Sequence, residues 1–138
     1  MLETALREDA LTATPGGFEL RLGLPWIRSM PLASVTGLAV AIDGVPVAPG
    51  ELAVVLGSRR VSSDALEAEA GWWFVQDRLV LAGRRELGPG PHAVAIEFQL
   101  MVPDLQARPG SPLVLPFHLS AQLELDRAPV PSVSRDVA

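Results

Sequence analysis

The chain has 138 residues, no cysteine and a formal charge of −5. Its length fits one domain, and a chain of this size buries roughly 68% of its unfolded surface, so it needs neither disulfide nor metal to fold. The missing thiols exclude a disulfide scaffold and any thiolate metal site. All eleven basic residues are arginines. They are scattered, with only Arg59-Arg60 and Arg84-Arg85 paired, which argues against a nucleic-acid face. The start, "MLETALREDA", carries acids where a signal peptide has a basic region. No apolar run approaches the ~18 residues of a membrane span. These features predict a soluble cytoplasmic protein. A mean hydropathy of +0.30 is high for a small soluble chain and predicts that a partner covers part of the surface.

Thirteen prolines and twelve glycines leave little room for long helices. In chain order, the first expected hairpin is "DALTATPGGFELRLGL", turning at Thr14 to Gly17, with Phe18, Leu20 and Leu22 on one face. Next come Leu38, Val40 and Ile42 on one face of a strand that ends in Asp43-Gly44. That pair suits a type I′ turn, which needs positive φ at both central positions. Pro46 has no N–H, so the return strand belongs at an edge. "ELAVVLG" reads as a short buried strand, and "SSDALEAEAG" as one short helix near 63–70, capped by Ser or Asp and stopped by Gly71. "WWFVQDRLVLAG" reads as a second hairpin turning near Gln76-Asp77. A long strand follows with His92, Val94, Ile96, Phe98, Leu100 and Val102 inward. The last strand turns Phe117, Leu119, Ala121, Leu123 and Leu125 inward and His118 outward. The prediction is an all-β fold, an antiparallel β-sandwich or a jelly-roll-like barrel of seven to nine strands. Residues 1–126 form the single domain, and 127–138, which lack periodicity, a flexible tail.

Catalytic chemistry finds little footing. No His-x-His, His-x₃-His or acid cluster marks a metal site. The serines lie near no base and in no nucleophile elbow. The glycine clusters carry proline and sit in turns rather than at phosphates. No catalytic residue and no metal ligand is assigned. His92 reads as a core histidine bonded to backbone at a strand start, or else as a residue lining a site; His118 reads as solvated.

Two stretches suggest a surface for a partner. On a strand, adjacent residues face opposite ways, so one of Trp72 and Trp73 points away from the core. An outward tryptophan serves an interface or a stacked ligand. Trp26, Arg28 and Met30 lie between Pro25 and Pro31, which stiffen the segment. Arg28 either anchors a partner's carboxylate or carbonyl, or pairs internally with Glu19 or Asp43. Trp26, Arg28, Met30 and Trp72 are the expected interface residues.

The stretches "GFELRLGLPWIRSMPLASV", "LAVAIDGVPV", "WWFVQD" and "GPGPHAVAIEFQL" together resemble the beta subunit of the bacterial C-glycoside deglycosidases. The order and spacing of Gly17-Phe18, the segment from Leu24 to Ser34, Asp43-Gly44, Trp73 with Asp77, and Gly90 with His92 agree from about residue 5 to residue 125. Ile27 stands where the family pattern has tyrosine, and Ala33-Ser34 where it has Leu-Ser. The resemblance implies a hetero-oligomer with a large alpha subunit, similar to a sugar-isomerase barrel and holding a divalent, Mn-like metal. It implies a carbon–carbon lyase reaction on 3-oxo-C-glycosides, in which a proton is removed beside the ketone and the bond from sugar to aromatic carbon breaks. It gives the small chain a structural role in assembly and no cofactor of its own. The alternative, from the residues alone, is a free-standing carbohydrate- or aglycone-binding module using Trp72 or Trp73. A stand-alone enzyme with a histidine base is the least favoured reading.

Overall fold

A computed structural model describes residues 5–127 and 135–137. Among them, twelve strands form a six-stranded, a four-stranded and a two-stranded sheet. In the large sheet, β1 (Leu11–Thr14), β2 (Gly17–Gly23), β9 (Asp77–Gly83), β6 (Leu52–Leu56) and β7 (Arg59–Ser62) lie in that order. Arg135–Val137, labelled β12, runs parallel to β9 at Asp77 to Leu79, in line with β6. So within the stretch expected as a tail, these three residues form a strand. The four-stranded sheet has the order β11 (Ser111–Glu124), β10 (Pro91–Arg108), β4 (Val35–Ile42), β5 (Val45–Pro46). A small ribbon pairs β3 (Met30–Pro31) with β8 (Trp72–Trp73).

The alternation in sequence becomes two facing apolar layers. Phe18, Leu20, Leu22, Leu79 and Leu81 from the large sheet share one core with Val40, Ile42, Val94, Ile96, Phe98, Leu100 and Leu119 from the smaller one. Two separate sheets with their own strand orders make this a sandwich rather than a closed barrel. Trp26, Phe117, Phe98 and Trp73 form a continuous line of aromatic contacts, with ring centroids 6.5, 5.3 and 5.9 Å apart. Turn chemistry follows its sequence signals. Asp43 and Gly44 both have positive φ, 52° and 80°, as a type I′ turn requires. β5 with Pro46 is an edge strand.

Two expectations change. The short helix near 63–70 reduces to a single 3-10 turn, Leu66–Ala68, in which only Leu66 is buried. Ser62 Oγ bonds to Asp64 rather than capping a helix, and two turns of good formers do not sustain an α-helix unaided. The hairpin over 72–83 also dissolves. The chain does turn there, with Asp77 N–H donating to the Phe74 carbonyl at 2.9 Å. Its arms, however, enter different sheets: β8 pairs with β3, and β9 with β2 and β6.

Candidate functional site: an exposed aromatic ribbon

The two stretches singled out in the sequence meet in space. Met30 lies opposite Trp73 and Pro31 opposite Trp72. Leu32 N–H donates to the Gly71 carbonyl at 3.0 Å, and Val75 N–H donates to Ser29 Oγ at 2.8 Å. These bonds tie the end of the proline-bracketed segment to the residues on either side of β8. Pro25 and Pro31 remove backbone freedom from one side of the pair, so the ribbon is shaped before any partner arrives.

Strand alternation then divides the tryptophans. Trp73 is 1% exposed, packs on Phe98 and donates its indole N–H to the Asp77 carbonyl at 3.2 Å. Trp72 points the other way and is 50% exposed; Phe74 at 52% and Val75 at 45% follow it in the chain, and Ile27 on the tethered segment is 69% exposed. These are four large apolar side chains on two tethered segments, where scattered single exposures are the ordinary pattern.

Of the residues expected at the interface, Trp72 and Arg28 are exposed. Trp26 is half-buried, edge-on to Phe117, with its buried Nε1 meeting no acceptor among the described residues. Met30 is a correction: it is 1% exposed, because its place opposite Trp73 turns it into the core. It supports the ribbon from beneath. The internal carboxylates foreseen for Arg28 are engaged elsewhere, Glu19 with Arg21 and Asp43 with His92. Ile27, Phe74 and Val75 were missed. The signal was present in "WWFV", four consecutive apolar residues of which strand alternation cannot inter all; here only Trp73 is buried.

His92 lies away from this ribbon, at the start of β10. Its Nδ1 meets Asp43 Oδ2 at 2.7 Å and its Nε2 meets the Gly88 carbonyl at 2.7 Å. Asp43 Oδ1 also accepts the Ala93 N–H at 2.9 Å, and Asp43 N–H donates to the Ala93 carbonyl at 2.7 Å. The bond to Asp43, then the bond to Gly88, raise the His92 pKa above its ordinary value. The same histidine, followed by the Ala93 N–H, lowers that of Asp43. Both ring nitrogens are thereby committed, and the group clamps the β4–β5 turn onto β10. His118 faces solvent on β11 and pairs with Glu97 at 3.2 Å. Among the described residues, no three His, Asp or Glu side chains are grouped to hold a metal ion.

No family model matches the chain. It is similar to three characterised proteins, each at 28% identity. One is a 3'-dehydrocarminate deglycosidase beta subunit of Microbacterium sp, matched over 113 residues, 80% of this chain and 85% of the relative. Another is a C-glycoside deglycosidase beta subunit of Arthrobacter globiformis, over 101 residues, 71% of this chain and 77% of the relative. The third is a C-glycoside deglycosidase beta subunit of Microbacterium trichothecenolyticum, covering 58% of this chain and 63% of the relative.

Proposed function

We propose that this chain, a distant relative of the C-glycoside deglycosidase beta subunits, is the small subunit of a cytoplasmic hetero-oligomer that cleaves 3-oxo-C-glycosides as a carbon–carbon lyase. Its role is assembly. It docks a larger, barrel-type alpha subunit, which carries the divalent metal and the groups that move protons. The observation behind this reading is the exposure of Ile27, Trp72, Phe74 and Val75 on the two segments that the stiffened ribbon joins. Aromatic side chains presented on a rigid frame lose little entropy on binding and dominate interface energetics. The clamp at His92 leaves that histidine without a free nitrogen to act as a base, which supports a non-catalytic part for this chain.

The test is co-expression with a barrel-type isomerase relative encoded beside it, with the tag on this chain only. A stoichiometric complex that carries a divalent metal and cleaves a 3-oxo-C-glucoside is expected. Elution of this chain alone overturns the proposal. A second reading rests on the half-exposed Trp72, which offers a flat platform to a sugar or aglycone ring. Saturable quenching of tryptophan fluorescence by glycosides, on the isolated chain, would favour that reading instead.

A further inference from the structure

The two arginine pairs noted in the sequence each use one member internally. Arg59 binds Glu69 at 2.7 Å, and Arg85 donates to the Val45 and Pro46 carbonyls at 2.9 and 2.6 Å. The remaining members, Arg60 and Arg84, are exposed, and their side chains enter no hydrogen bond or ion pair among the described residues; the Arg84 backbone N–H donates to the Glu51 carbonyl at 2.9 Å. Both line one hollow of about 510 Å³ on the outer face of the large sheet, beside the β1–β2 turn.

The register puts both side chains on one face of the large sheet. Arg60 lies opposite Val55, whose other neighbour is Val80 on β9. Arg84 continues β9 past Gly83, which lies opposite Phe18. Between them the floor is Ala82, Gly83, Gly17 and Thr14. Gly17 is obligatory here, since a Cβ on it would come within 2.0 Å of the Gly83 carbonyl oxygen. Among the described residues, no carboxylate lines it. Glu19, on the adjacent strand, is bound to Arg21 at 3.0 Å.

We infer that this hollow is a binding site for a small oxyanion, a phosphate or a carboxylate group, held between the guanidiniums of Arg60 and Arg84. Guanidinium donors are arranged as a planar fork that matches such oxygens. Thr14 adds a hydroxyl at the floor. The chain as a whole is negative, −5, so general attraction does not bring anions to it. Selectivity has to come from these two charges held over a small-residue floor. The site is independent of the docking role of the ribbon.

The test is an amide NMR titration of the full chain with sodium phosphate and with sodium acetate, each against sodium chloride at equal ionic strength. Saturable shifts at Thr14, Gly16, Gly17 and Gly83 with either oxyanion are expected. Arg60→Gln should weaken the apparent affinity by about tenfold, the worth of one charged hydrogen bond. The Arg60→Gln/Arg84→Gln pair should abolish saturation while the remaining spectrum is unchanged. Shifts that match those of chloride, or saturation retained in the double variant, would overturn the site.

Discussion

His92 and Asp43 hold each other at 2.7 Å across the junction of the β4–β5 turn and the start of β10. The Gly88 carbonyl accepts from the other ring nitrogen, so the doubly protonated imidazole satisfies both partners at once. Asp43 is at φ 52°, a conformation that aspartate tolerates and that its bonds to His92 and Ala93 fix in place. A turn residue and a strand residue distant in sequence thus form one charged clamp.

The clamp makes stability depend on pH in both directions. His92 is raised from 6.5, so its contribution is complete below that value and is lost as pH rises through the folded one. Asp43 is lowered from 3.8, so its contribution is present above that value and is lost as pH falls through the folded one. The clamp is therefore strongest between 3.8 and 6.5. Melting temperatures measured from about pH 6 to about pH 9 should fall, and His92→Gln should flatten that slope. An identical slope in the variant would rule out this origin.

A buried ion pair closes the other sheet. Arg78 on β9 binds Asp9 through its two terminal guanidinium nitrogens, at 2.9 and 3.3 Å, and neither side chain is more than 9% exposed. Replacing Arg78 by Met keeps the stem and strands the carboxylate. The expected loss is about 3–5 kcal/mol, read by chemical denaturation. The paired change Arg78→Met/Asp9→Leu should recover much of it. If the single variant were no less stable than the parent, Asp9 would not depend on this arginine.

Gly83 lies directly under Phe18. A Cβ there would come within 2.3 Å of two ring atoms of a side chain that is fully buried. Gly83→Ala should cost about 1–3 kcal/mol, because the ring has nowhere to retreat in a close-packed core. By contrast, Gly50 has open space around it, and the same change there should be close to neutral. Comparing the two midpoints in urea separates overpacking from a general effect of removing glycine.

Much of the sandwich was legible because its signals are local. Alternation in β2, β10 and β11 fixes which residues face the core, and Asp43-Gly44 fixes a turn type by its φ demands. The failures share a cause too. β8 finds its partner in β3, on the far side of four intervening strands, and nothing in "WWFVQD" identifies it. Helical composition over 63–70 meets only one buried apolar residue, Leu66, so tertiary packing gives it no second turn. Met30 and Trp72 belonged to the same interface reading, yet a two-residue ribbon assigns them to opposite faces. That assignment depends on pairing and not on residue type.

The ribbon separates binding from folding, and two substitutions should show it. Trp73→Ala removes a buried indole with its hydrogen bond to Asp77 and its contact with Phe98, and should cost about 3–5 kcal/mol in the isolated chain. Trp72→Ala with Phe74→Ser removes two half-exposed rings, and should leave the melting temperature within a degree or two while abolishing co-purification with the large subunit. Trp26→Ala lies between these extremes, since its ring is half-buried against Phe117 and both readouts should move. Should the Trp72 and Phe74 pair lose stability but keep its partner, the exposed rings would be part of the fold and the docking face would have to lie elsewhere.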